Sequence, residues 1–266
     1  MILVAAAGFG TLGVISRFAG DAGVSAVTFA TWRAVLGAVI LLTAVTLLVR
    51  TQRMRSVSLR QVPRLHWVQV STVAFLTVIT NLALFSAFER STIALVLIGF
   101  YTYPVIVAIA AVRVYGDPLT PTRIASLTLA SLGMLMVVLA PALEEGGMQV
   151  ESVGLALGLV AAASQAIYAL IAGRGYASLP AGQAATTIAV ISSVTFVAVV
   201  VLGGAGGILL EPLRVGGAWV WVLLGATIGL AIPTAAVIAG YRRMGPTGAW
   251  ILLLFEPLVG VLLGGL

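Results

Sequence analysis

Nine stretches of roughly twenty residues, almost free of charge, follow one another along this chain of 266 residues. Each is about the length an α-helix needs to cross a bilayer. They lie near 1–19, 26–49, 66–88, 91–112, 122–140, 153–173, 183–203, 217–240 and 245–265. In hydrocarbon every backbone N–H and C=O must be bonded within the protein, so helices are the expected outcome. Hydrophobic residues make up 61% and charged residues 8% of the chain, too little polar surface for a soluble domain. The expected fold class is therefore an all-α polytopic membrane bundle. Short connections make neighbouring helices antiparallel. Met1 opens almost directly onto the first apolar run without a basic leader, so that run is read as a span and not a cleaved signal peptide.

Part of the chain occurs twice. Leu3-Val4-Ala5-Ala6-Ala7 returns as Leu159-Val160-Ala161-Ala162-Ala163, 156 residues later. Ala30-Thr31 and Ala34-Val35 return as Ala185-Thr186 and Ala189-Val190, 155 residues later. Phe88-Glu89-Arg90, followed by Pro104, returns as Tyr241-Arg242-Arg243, followed by Pro257, 153 residues later. The constant order and near-constant spacing divide the chain into a first repeat, 1–145, and a second, 146–266. Five spans per repeat is an odd number, so the second copy is inverted, a plan used by transporters. The tenth span that would complete the second repeat does not occur before Leu266, and truncation there is the expectation.

The 14 basic residues are all Arg. With the first helix entering from the cytoplasm, inside loops hold ten of them: Arg50, Arg53, Arg55, Arg60, Arg64, Arg113, Arg123, Arg174, Arg242 and Arg243. Outside positions hold three, Arg17, Arg90 and Arg214, while Arg33 lies within a span. The imbalance puts the N-terminus in the cytoplasm of a cell (inner or plasma) membrane. The net charge of +6 thus reads as topology, and no nucleic-acid partner is expected.

Several of these segments together resemble ten-helix members of the drug/metabolite transporter superfamily, EamA type. They are Phe29-Ala30-Thr31-Trp32-Arg33-Ala34, Ala87-Phe88-Glu89-Arg90-Ser91-Thr92-Ile93-Ala94, Tyr103-Pro104, Gly116-Asp117-Pro118-Leu119-Thr120 and Phe255-Glu256-Pro257. Asp117 stands where that family often carries Glu. The resemblance covers nearly the whole chain and implies export or exchange of small metabolites through a central cavity between the two halves.

Polar groups at membrane depth are costly unless paired or hydrated. Arg33 lies about eight residues into one helix and Glu256 about eleven into another, placing both in the middle-to-outer half of the bilayer. They are candidates for a gating ion pair, with proton coupling at Glu256 as a second reading; a fixed structural pair, or Arg33 snorkelling, is the plain alternative. Phe100, Tyr101 and Tyr103 precede Pro104, which removes a backbone donor. Tyr101 and Tyr103 stand about 200° apart on a regular helix and are not expected to face the same way. Asn81 and Phe85 share one helix face, as do Gln165 and Tyr168. Gln165 and Tyr168 replace Phe9 and Leu12 of the first copy. With Trp250, these residues (Asn81, Phe85, Tyr101, Tyr103, Gln165, Tyr168) form the candidate substrate-binding set. Pro104, Pro233 and Pro257 are candidate hinges. Trp32, Trp67, Trp219 and Trp221 read as interfacial anchors, and His66 as an interface residue.

There is no phosphate-binding Gly-Lys-Ser/Thr loop, no metal-spaced cluster and no Ser with a base at membrane depth. No catalytic residue, metal or cofactor is expected. A channel and an intramembrane enzyme are the alternatives to a secondary transporter of small, amphipathic, neutral or zwitterionic compounds such as amino acids. Oligomeric state, monomer or homodimer, is not readable.

Overall fold

The computed structural model describes residues 1–88, 90–116, 118–144 and 152–264. Among them every regular element is helical. The chain runs through α1 (Ile2–Gly10), α2 (Leu12–Asp21), α3 (Ala26–Arg50), α4 (Arg64–Phe88), α5 (Ile93–Phe100) and α6 (Tyr103–Tyr115). It continues through α7 (Pro121–Glu144), α8 (Ser152–Arg174), α9 (Ala181–Leu202), α10 (Glu211–Arg214), α11 (Ala218–Ala226), α12 (Ile232–Leu253) and α13 (Glu256–Gly264). Seven segments are long and apolar enough to cross a membrane: Ile2–Asp21, Ala26–Arg50, Arg64–Phe88, Leu95–Tyr115, Ser152–Arg174, Ala181–Leu202 and Ala218–Gly240. They coincide with seven of the nine expected spans. The fifth expected span is α7, and the ninth is divided between the end of α12 and α13. The expected junction at 145/146 lies outside the described residues, and so do Glu89 and Asp117.

Helix boundaries follow local chemistry. The Ser25 hydroxyl caps α3 by accepting from the Thr28 N–H, and Gly116 ends α6 in the left-handed region at φ 67°, which a Cβ would disfavour. The outer surface is apolar: Leu129, Met136 and Leu202 are 75%, 73% and 86% exposed, and Val114, Val194 and Leu262 are exposed as well. Apolar surface on this scale is matched to lipid, not water.

α8 lies against α4, α5, α6 and α12, while α1 lies against α12 and α13, and α3 against α9 and α11. Glycines allow the closest approaches. A Cβ on Gly8 would come 2.4 Å from the Pro233 ring and 2.6 Å from the Ile228 carbonyl oxygen; one on Gly158 would come 2.7 Å from the Val96 carbonyl oxygen. Backbone-to-backbone contact of this kind gives membrane helices dispersion energy where the hydrophobic effect is absent.

α12 reverses direction along its length. Gly8 approaches Pro233, and Gly10, two residues on, approaches Glu256 and Val259. A straight helix would separate residues 233 and 256 by about 35 Å. Gly240 and Leu252 also line one cleft with Met1, Ile2 and Leu3. The chain therefore turns back between Gly240 and Leu252, as expected for two spans joined near Arg242-Arg243.

Candidate functional site

Three prolines proposed as hinges occupy one local position. Pro104 is the second residue of α6, Pro257 the second of α13 and Pro233 the second of α12. The first N–H groups of a helix have no intrahelical acceptor, so a proline there costs no hydrogen bond. At Pro104 and Pro257 the helix stops and restarts instead of bending. α5 closes at Phe100, and the Thr102 hydroxyl donates back to the Gly99 carbonyl at 2.7 Å. α12 closes at Leu253, two residues pass, and α13 begins at Glu256. Before Pro233 the same demand is met by a π-helical turn over Thr227–Ala231. The Tyr101-Thr102 break and the Leu254-Phe255 break stand 153 residues apart, the spacing of the sequence duplication at this point.

The break changes where the tyrosines point. Tyr101 and Tyr103 do not face opposite ways: both are buried, and their ring centroids are 6.2 Å apart. The 200° expectation assumed a continuous helix, and two non-helical residues remove that phase relation. Phe100 completes the group, with ring centroids 5.3 Å from Tyr101 and 5.1 Å from Tyr103. Tyr168 of α8 and Leu254 belong to the same buried cluster. Glu256, at the restart of α13, is near enough to act electrostatically on both Tyr101 and Tyr103. Two of the expected substrate residues, Tyr101 and Tyr103, and one expected coupling residue, Glu256, thus come together at the helix breaks.

Arg33 and Asn81 form a second group. Arg33 is 6% exposed, and its Nη2 donates to the Asn81 Oδ1 at 3.1 Å. The Asn81 Nδ2 donates to the Thr77 carbonyl at 2.7 Å. Among the described residues no ion pair joins Arg33 to Glu256, and the Arg33 Nε–H has no acceptor. Burial also excludes the snorkelling alternative. Gln165 is half-buried on α8, beside Ser164, whose hydroxyl donates to the Leu76 carbonyl of α4 at 3.0 Å. The side chains of Phe85 and Trp250 lie outside what the structure describes.

Two clefts measure about 200 and 260 Å³; one lies between α7 and the α12–α13 break, the other beside Met1. Neither touches Arg33, Asn81, Gln165, Tyr101, Tyr103 or Tyr168. Gly37 facing Leu230, Gly225 facing Phe29 and Gly229 facing Leu12 let α2 and α3 pack closely on the segment from α11 to α12.

Two fastenings escaped the sequence reading, and they lie at opposite ends of α3. At one end the Ser25 N–H donates to the Glu211 carboxylate at 2.8 Å, the Thr28 hydroxyl to the Ile208 carbonyl at 3.0 Å, and the Trp32 indole to the Leu209 carbonyl at 2.9 Å. Burial raises the carboxyl's pKa, but the hydrogen bond from the Ser25 N–H, the adjoining Ser25 and Thr28 hydroxyls and the nearby Arg214 outweigh it, leaving Glu211 below its ordinary value. At the other end Gln183 both accepts from the Val57 N–H at 2.9 Å and donates to the Val57 carbonyl at 2.7 Å. The one available signal was position: Gln183 stands 155 residues after Thr28, the spacing of the duplication there. Trp32 is therefore more than an interfacial anchor, packing edge-on to Trp219 at 5.2 Å as well. His66 contacts the Ser178 hydroxyl at 2.6 Å.

None of the curated proteins matches this chain. A solved protein described only as "Crystal structure of protein" shares its fold at TM-score 0.76, with 19% identity over 98% of this chain and 85% of the other. The model of the EamA-like transporter family matches residues 1–139. Taken with the apolar spans, the match makes this a multi-pass membrane protein, and the chain belongs to the EamA-like transporter family.

Proposed function

We propose that the chain is a secondary transporter of small amphipathic metabolites, amino-acid-like in size and polarity, in the cell membrane with its N-terminus cytoplasmic. The observation that carries this reading is the meeting of two helix breaks. Broken helices expose backbone carbonyls and N–H groups, which are tolerated at membrane depth only inside protein or beside a hydrated path. Tyr101, Tyr103 and Glu256 gather there, offering apolar faces with a few polar groups, the usual make-up of a small-molecule site.

The reading includes two inverted five-helix repeats that rock about this site. Matching contacts support it. The Ser192 hydroxyl of α9 donates to the Ala74 carbonyl of α4 at 3.1 Å. Gly37 of α3, 155 residues earlier, approaches the Ala226 carbonyl of α11, 152 residues after Ala74. Thr28 and Gln183 stand in the same relation, each fastening the start of its helix to a linker.

A metabolite uptake and efflux screen in proteoliposomes, with and without a pH gradient, tests the reading. Saturable exchange is expected; an unsaturable current would point to a channel. Glu256 is the candidate coupling residue because no ion pair holds it among the described residues. Glu256→Gln should abolish any pH dependence of flux, and an unchanged dependence sinks the coupling role.

A further inference from the structure

Arg33 is an incomplete site. Its side chain is nine-tenths buried, and among the described residues the one acceptor that reaches it is a neutral amide oxygen. Among the described residues the Nε–H is unpartnered, and the Nη2 has a second hydrogen besides the one given to Asn81. No carboxylate among the described residues acts on it. A buried charge lacking its partner is strongly unfavourable, and a guanidinium cannot shed its proton to escape the penalty. The scaffold itself has no need of a cation here. The position 155 residues later, on α9, is Ile188, which is buried without difficulty.

We propose that Arg33 receives the carboxylate of the transported compound, with Asn81 positioning the guanidinium. The Nε and Nη2 hydrogens form a planar fork that matches two carboxylate oxygens. Asn81 is itself tied to the Thr77 carbonyl, so its oxygen is fixed toward Arg33 and orients that fork. A single positive charge is complemented by a monoanion; a phosphate dianion would leave charge uncompensated beside Phe29 and Gly225. The proposal rests on the transporter reading and narrows its substrate class from neutral or zwitterionic compounds to those bearing a carboxylate.

The test uses the full chain in detergent, with binding of 3-phenylpropionate and of its neutral amide followed by tryptophan fluorescence. Wild type is expected to bind the carboxylate at least tenfold more tightly than the amide. Arg33→Gln should bind both equally, at the wild-type affinity for the amide. If that variant does not fold, Arg33→Lys keeps the charge, loses the planar fork, and should reduce the preference at least threefold. No preference in wild type, or an undiminished preference in the variants, overturns the proposal. Flux of the same pair in proteoliposomes separates the two readings. Arg33-dependent binding without flux sinks the carrier and leaves the site; flux indifferent to Arg33 sinks the site and leaves the carrier.

Discussion

Asn81→Leu should destabilise this protein more than Arg33→Met. The asparagine oxygen is the one described acceptor for a guanidinium that is 6% exposed. In soluble proteins a hydrogen bond to a charged group is worth about 1.5–3 kcal/mol. Between membrane helices the measured average is nearer ~0.6 kcal/mol, with a maximum of ~1.7, because the unfolded reference also finds partners. Here the Arg33 Nε already lacks an acceptor, so no fallback is close at hand, and about 1.5 kcal/mol is expected for Asn81→Leu. Arg33→Met removes the charge together with its desolvation cost, and should be neutral or stabilising by about 1 kcal/mol. When Arg33→Met is already in place, Asn81→Leu loses only the bond to Thr77 within its own helix, under ~0.5 kcal/mol. The cycle should close with a coupling of about 1 kcal/mol, read from equilibrium unfolding in mixed micelles. An Asn81→Leu cost that is equal in both backgrounds, to within ~0.3 kcal/mol, would refute the idea that Asn81 holds Arg33.

Gly8→Ala should cost about 2 kcal/mol and Gly240→Ala under ~1 kcal/mol in the same assay. A Cβ at Gly8 meets a proline ring and a backbone oxygen, whereas one at Gly240 meets the movable end of Ile2; equal costs would contradict this. Because the folded pKa of Glu211 is lowered, its contribution is complete above the ordinary carboxylate value and is lost as pH falls through the lowered one. For so exposed a group it is worth less than ~1 kcal/mol. Wild type should unfold a degree or two above Glu211→Gln at neutral pH, and the two should converge in acid; a constant difference across pH excludes this contact as the cause. Gln183→Leu should release the linker around Val57 and speed tryptic cleavage at the exposed Arg53 and Arg55 several-fold, whereas an unchanged cleavage rate means the linker is held elsewhere.

The helical class and seven of the spans were legible because apolar runs of this length leave the backbone one way to satisfy itself. The family was legible in short segments of the matched part, such as Phe29–Ala34 and Tyr103-Pro104. Of the site, Arg33 and Glu256 stood out as charges at membrane depth, but their partners did not. An arginine reaches an amide as well as a carboxylate, and only three-dimensional register decides which; here it is Asn81. The grouping of Tyr101 with Tyr103 was hidden because a helical wheel presumes an unbroken helix, and here the helix breaks at Tyr101-Thr102. Glu211 and Gln183 were invisible for a different reason. Each fastens a linker to a helix far away in sequence, and no local pattern announces such a pairing.

The two fastenings at the ends of α3 differ in kind. One is closed by a carboxylate, the other by a neutral amide that makes a matched pair of bonds with Val57. Acid can loosen the first and leaves the second untouched. The two ends of α3 therefore respond differently to pH: acid weakens the hold of Glu211 on Ser25, while the Gln183–Val57 pair keeps its strength. One helix is thus held at one end by a bond that senses protons and at the other by a bond that does not.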